Sequence, residues 1–262
     1  MNIAVQVWGN PRGQPIVLIH GLGQCRLSWI KQLTSDLGER YQIVTYDLRG
    51  HGQSDKPTQK QYYSEGRRWG DELAAVMDAL KLGRAALVGW SLGGVVVLNY
   101  LAAHGHDRVA ALNFVDAWTT LDPAVYTDEA EELTNALRSS DLMVRLEGIQ
   151  NFLRACFHVL PDRDLFELLL SFNAMPPVEV YEGVEHVTLE GADAALRKLP
   201  IPVLVTQGAN DRLFRVDVAR YTAQAVPSAH LSIYPDIGHS PFLEDSRRFN
   251  QELKAFLSSA FV

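Results

Sequence analysis

"LVGWSLGG", residues 87–94, sets a serine between two glycines, after one short apolar run and ahead of another, VVVLNYLAAHG (95–105). The stretch reads in two ways. Ser91 can simply cap a helix, a common use of serine at such a start. It can also be a nucleophile displayed on a sharp turn from strand to helix. A cap accounts for the helix but not for Gly89 and Gly93, two residues to either side, where side chains would collide in a tight turn; Gly94 adds further room. The pattern is short enough to arise by chance, so the rest of the chain has to decide.

The chain has 262 residues, 47% hydrophobic and 21% charged, with a net charge of -7 and a pI near 5.6. That fits one large α/β domain with room for an inserted subdomain. The acidic balance argues against nucleic acid, which demands a basic face, and against an anionic membrane surface. The start, MNIAVQVWGN, lacks the cationic and longer apolar regions of a signal peptide, and no apolar run approaches a bilayer span. Cys25 and Cys156 are too few and too far apart for a disulfide framework or a zinc site, so two reduced thiols and a cytoplasmic location are expected.

Short β-rich runs alternate with helical patterns through the first half. PIVLIHG (15–21), YQIVTYD (41–47), RAALVGW (84–90) and RVAALNFVDA (108–117) read as buried strands. Between them, GDELAAVMDALKL (70–82) carries Leu73, Val76, Met77 and Leu80 at helical spacing, with Gly83 following as a stop. Apolar strands separated by helices imply a parallel sheet covered on both faces. From Trp118 to Glu190 the pattern turns helical and acidic. Leu142, Leu146, Ile149 and Leu153 form one stripe and DLFELLLSF (164–172) another. Strands return at IPVLVTQG (201–208) and AHLSIYPD (229–236), and a closing helix is predicted through FLEDSRRFNQELKAFL (242–257). The expected organisation is an α/β core at 1–117 and 191–262 with a helical cap at 118–190.

In such a core, ligands sit beyond the carboxyl ends of the strands, where Ser91 falls. A serine hydroxyl needs a base, and the base needs an orienting acid, in the chain order Ser, acid, His. Of the eight histidines, His239 is best placed, in the loop PDIGHSPF (235–242) between the last strand and the last helix. For the acid, Asp211 in TQGANDRLF (206–214) follows a strand directly; an Asx-turn is its plainer reading. Asp116 in NFVDAW (113–118) is the alternative acid, and both satisfy the order. Backbone N–H groups of Leu92 and of Leu22, in HGLG (20–23), are placed to form an oxyanion hole.

Together these residues resemble the α/β-hydrolase superfamily over essentially the whole chain. HGLG is similar to its oxyanion loop, YDLRGHGQSD (46–55) to the turn after its next strand, GWSLGG to its nucleophile elbow, and GHSPFLED (238–245) to its histidine loop. Within the superfamily the chain is most similar to small arylesterases and cofactor-free haloperoxidase-like esterases, and next to enol-lactonases. The resemblance implies a mostly parallel sheet, a small helical cap inserted after strand six, no metal and no dissociable cofactor. Only NIAVQVW (2–8) stands where relatives carry two strands, so the sheet is expected to begin one strand short.

The expected reaction is ester hydrolysis through an acyl-enzyme, on a small neutral ester, by a monomer or small homo-oligomer. Trp29, Trp90, Trp118, Phe152, Phe157 and Leu213 are the candidate pocket walls, with core packing the plainer reading for most of them. No basic residue is evidently dedicated to a substrate carboxylate, although Arg49, Arg154 or Arg212 could turn inward. The same triad also serves lactonases, C–C bond hydrolases, perhydrolases and hydroxynitrile lyases. A receptor for small apolar ligands with slow residual hydrolysis is the reading from outside enzymology.

Overall fold

Seven strands form one sheet in a computed structural model that describes residues 1–261. They are β1 (Val5–Gly9), β2 (Gln14–Ile19), β3 (Tyr41–Tyr46), β4 (Ala85–Trp90), β5 (Val109–Val115), β6 (Val203–Gly208) and β7 (Ala229–Tyr234). The spatial order is β1-β3-β2-β4-β5-β6-β7. β1 runs antiparallel to β3, and every other pairing is parallel. A strand covered on both faces has no solvent side to keep polar, and β4, β5 and β6 are buried at every position. The two-residue period of a strand then divides the core. Val17 and Ile19 of β2 face one cluster, with Leu73, Met77 and Leu98. Ile16 and Leu18 face the other, with Trp29, Phe242 and Leu253.

Only β1 precedes β2, as the single segment at 2–8 implies. The insertion therefore follows the fifth strand of this chain and not a sixth, because five strands precede it. The helix predicted at 70–82 is α1 (Gly66–Ala79). It ends before Gly83 because Lys81 already turns the chain with φ 52°. The helix α2 (Leu92–His104) is buried along its first ten residues, as its apolar sequence demands.

Between β5 and β6 lie α3 (Asp128–Leu137), α4 (Leu142–Ala155), α5 (Arg163–Asn173), α6 (Val178–Val184) and α7 (Ala192–Arg197). Thr127, Asp141 and Asp162 start the first three, each accepting a first-turn N–H with its side chain. The predicted stripe on α4 is only half used. Ile149 and Leu153 are buried with Phe152, whereas Leu142 and Leu146 are 57% and 42% exposed, because nothing covers that face of the first turns. On α5, Leu169 and Phe172 are buried.

After α8 (Asp217–Ala225), the predicted closing helix divides into a single turn, Pro241–Glu244, and α9 (Ser246–Ala260). Asp245 causes the break: its backbone is non-helical, and its side chain caps α9 by accepting the Arg248 N–H. Among the described residues no helix is long and apolar enough to cross a membrane.

The chain leaves β2 for β3 on one side and reaches β4 on the other, which opens a crevice at their carboxyl ends. Register does the rest. Ile19 pairs with Gly89, Trp90 with Val115, and Val115 with Thr206. The next residues of each strand, His20, Ser91, Asp116 and Gln207, therefore gather along one edge. The uneven burial of α4 predicts an uneven response to truncation. Leu153→Ala should cost about 2–5 kcal/mol in urea unfolding, and Leu146→Ala no more than about 0.5 kcal/mol.

Candidate active site

Ser91 occupies the N-cap position of α2 with φ 53° and ψ -115°, yet its side chain makes no capping hydrogen bond. Such a backbone costs a non-glycine residue roughly 1–3 kcal/mol and persists only where its surroundings impose it. They do so here through close packing. A Cβ at Gly89 would lie 2.6 Å from the Gly93 carbonyl, and one at Gly93 would lie 2.7 Å from the Ile19 carbonyl. The Ser91 N–H donates to the Val115 carbonyl at 3.1 Å, and its own carbonyl accepts from Gly94 and Trp118 at 2.9 and 3.0 Å. The hydroxyl is thus freed from the helix it begins, which the capping reading does not explain.

His239 and Asp211 meet: His239 Nδ1 lies 2.8 Å from Asp211 Oδ2, with both side chains buried. Four N–H groups converge on Asp211 when the imidazole is counted. Leu213 and Phe214 donate to Oδ1 at 2.8 and 3.1 Å, and Gln207 Nε2 donates to Oδ2 at 2.9 Å. The Asx-turn and the histidine partner are therefore the same residue, one oxygen serving each. Behind the imidazole, Trp90 Nε1 donates to the His239 carbonyl at 2.8 Å. Glu244 ties this loop to the inserted helices, accepting from Gly238 with Oε1 and from His158 and Val159 with Oε2. Asp116, fully buried, does not reach His239 as its hydrogen-bond partner and instead accepts the Gly208 N–H at 2.8 Å.

The loop at 20–23 is held by two imidazoles. The Gly23 N–H donates to His51 Nε2 at 3.1 Å, and the Leu48 N–H donates to His20 Nε2 at 2.9 Å. Each ring uses its Nδ1 on a backbone carbonyl, Arg49 for His51 and Gly21 for His20. Both rings must then be neutral, and burial lowers His20 to about 4 and His51 to about 3. Asp47 reinforces the loop by accepting the Arg26 N–H at 2.8 Å and pairing with its guanidinium. Gln24 N–H turns back to the Gly21 carbonyl, which leaves the Leu22 N–H free within the loop among the described residues. Leu92, the first residue of α2, has an N–H with no intrahelical acceptor.

Ser91, Leu22 and Leu92 line a cavity of about 410 Å³ roofed by the inserted helices. Of the expected walls, Trp118, Phe152 and Leu213 line it as well. Trp29, Trp90 and Phe157 do not. Trp29 is in the core against Phe242, their rings 4.3 Å apart. Trp90 stands behind His239, at 5.7 Å between centroids, and Phe157 is buried in the cluster shared with Phe152 and Cys156. Tyr126, Arg138, Tyr181 and Phe214 are also part of the lining. Phe214 lies three residues after the acid in sequence, but the other three carry no local signal.

Arg49, Arg154 and Arg212 do not turn inward. Arg49 is bound to Glu72, Arg154 sits over Phe166 and Arg212 pairs with Glu129. Both thiols are buried and free, and burial pushes Cys25 up to about 12, which removes it as a nucleophile at neutral pH. Asp116, Asp211 and His239 place one ligand atom each within 4.8 Å of one another, the spacing of a cation site. The imidazole bond to Asp211 occupies one of those atoms.

The chain matches the α/β-hydrolase fold family over residues 14–246 and belongs to it. A solved structure provisionally named an aryl esterase, from Burkholderia cenocepacia, is 40% identical with a TM-score of 0.95, covering 99% of this chain and 95% of that one. Esterase RhEst1 from Rhodococcus sp. ECU1013 is 32% identical with a TM-score of 0.91, covering 98% and 95%. By sequence, the 2-hydroxymuconate semialdehyde hydrolase of Pseudomonas sp. (strain CF600) is 29% identical over 95% of this chain and 88% of its own length.

The buried imidazoles predict a pH response. An unfolded His51 takes up a proton as pH falls below about 6.5, while the folded one stays neutral to about 3. The unfolded state binds more protons in that window, so stability falls with pH. Between pH 6.5 and 4.5 the wild type should lose on the order of 2 kcal/mol more than His51→Gln in urea unfolding.

Proposed function

We propose that this chain hydrolyses carboxylic esters of neutral, moderately apolar substrates through an acyl-enzyme. The observation that carries the reading is Ser91 itself. It is held in a strained turn, its hydroxyl bonded to nothing on its own helix, and open to a cavity beside a buried His239–Asp211 pair. With Nδ1–H directed at Asp211, the imidazole presents Nε2 to take the Ser91 proton as the serine attacks the carbonyl. The Leu22 and Leu92 N–H groups would then receive the oxyanion. A water activated by His239 releases the acid, and the sequence of steps calls on no metal or dissociable cofactor.

The esterase names of the two structural relatives support this reaction class. The cavity supports the substrate class: its one cationic wall residue among the described residues, Arg138, is already paired with Glu185, and Glu131 lines the same cavity. A substrate carboxylate would meet acids there without a free cation. In this reading, residues 118–190 act as the cap that shapes the acyl site, and the substrate is a small molecule met without nucleic acid or membrane. Lactone or C–C bond cleavage would use the same groups, and the 2-hydroxymuconate semialdehyde hydrolase from Pseudomonas sp. (strain CF600) makes 2-hydroxymuconate semialdehyde a useful control.

Hydrolysis of p-nitrophenyl acetate, butyrate and octanoate tests the proposal. Ser91→Ala and Asp211→Asn should each lower kcat by roughly three to four orders of magnitude. Turnover that survives in Ser91→Ala overturns the assignment. Phe152→Ala should raise the octanoate-to-acetate ratio of kcat/KM by about tenfold, the scale on which added apolar room is read. An unchanged ratio would remove Phe152 from the acyl wall.

A further inference from the structure

Asp116 is left without a task by the mechanism above, although it is fully buried within reach of its charged groups. It is the first residue after β5 and holds φ 40°, a strained value for a side-chain-bearing residue. Its N–H donates to the Thr206 carbonyl at 2.8 Å and its Oδ1 accepts the Gly208 N–H at 2.8 Å, so the residue is fixed at its backbone and at one carboxylate oxygen. Oδ2 is buried with no donor in reach. The group it meets is the carboxylate of Asp211, another acceptor. Two ionised carboxylates in that contact would repel each other in a site sealed from water.

The hydrogen bonds decide which acid carries the charge. Four N–H groups converge on Asp211, and one on Asp116. Donors stabilise an anion, so Asp211 is the member built to be charged and Asp116 the member built to keep a proton. We propose that Asp116 is a protonated carboxylic acid that donates a hydrogen bond to Asp211 and thereby positions the acid that orients His239.

The proposal rests on the Asp211–His239 pair having the role given to it above. The titratable groups facing Asp116 agree on its state. Besides Asp211 and His239 they are Glu244 and the Cys156 thiol, and neither supplies a positive charge. Burial first, and then the Asp211 charge, push the Asp116 carboxyl well above the usual carboxylate range. The consequence is a charge count. When His239 takes the serine proton, the imidazolium faces one anion behind it. A second would hold the proton too firmly for the imidazole to serve as a base at neutral pH.

The test compares Asp116→Asn, which keeps a donor without a titrating proton, with Asp116→Leu, which has neither. In Asp116→Leu, kcat/KM should fall about tenfold or more. The midpoint of the acid limb of its pH profile should rise by about half a unit, because an unsupported Asp211 holds the imidazolium more tightly. Asp116→Asn should rescue activity to within roughly threefold of the wild type and restore the acid limb to within about 0.3 unit.

Two results overturn the proposal. One is an acid limb that drops by about a unit in Asp116→Asn, the signature of a lost negative charge. The other is an unmoved limb in Asp116→Leu, which marks a merely structural residue. Infrared difference spectra of the resting protein serve if the leucine variant does not fold. The wild type at pH 7 should show the C=O stretch of a protonated carboxyl that Asp116→Asn lacks, and no such band in the wild type overturns the proposal. That reading involves no turnover, so it stands apart from any failure of Ser91→Ala to lose activity.

Discussion

A backbone conformation that Ser91 would not adopt unaided is the constraint on which the site depends. The Ser91 side chain does nothing to hold φ 53° and ψ -115° there. The turn is held from outside, by β2 through the Ile19 carbonyl that Gly93 approaches and by β5 through the Val115 carbonyl that the Ser91 N–H reaches. Strain of this kind is retained only where packing over-determines it. The parallel register of β2, β4 and β5 is that packing, and it aligns the strand ends that carry His20, Ser91 and Asp116.

The loops around this edge are fixed by buried polar groups rather than by apolar contact. His20 and His51 each bridge two backbone groups, and Asp47 joins Arg26 to the turn at Gln53. Buried polar networks specify one arrangement when every member is satisfied. Here they specify the position of the Leu22 amide relative to Ser91. The histidine loop is treated likewise: Trp90 holds its carbonyl and Glu244 its Gly238 N–H, so His239 is positioned from both sides. Glu244 also reaches His158 and Val159, which links the imidazole's loop to the inserted helices.

The inserted helices contribute shape more than chemistry. Trp118, Tyr126, Phe152 and Tyr181 wall the cavity, and its charged residues are paired or acidic. Such a lining selects by fit, and apolar fit discriminates weakly between neighbouring chain lengths. In the proposed reading the core holds the reacting groups and the insertion sets what reaches them. Substrate range can therefore change along 118–190 while the edge that carries Ser91 stays as it is.

Much of this was legible in the residue pattern. The glycines around Ser91, the order Ser–Asp–His, and the apolar strand runs are local features whose steric and periodic consequences do not depend on distant parts of the chain. Asp211 and Asp116 could not be separated that way, because both follow strands in the required order. Only the folded arrangement, with four donors on one acid and one on the other, distinguishes them. Trp29, Trp90 and Phe157 as pocket walls failed for a related reason: an aromatic ring reads alike in sequence whether it packs in the core or lines a cavity. The exposed half of the α4 stripe makes the same point, since periodicity shows which residues share a face and not whether anything covers it. The sequence by itself determined the sheet, the turn and the chemical groups. The tertiary structure decided which of those groups meet, because a hydrogen bond or a cavity wall is made by residues that chain order leaves far apart.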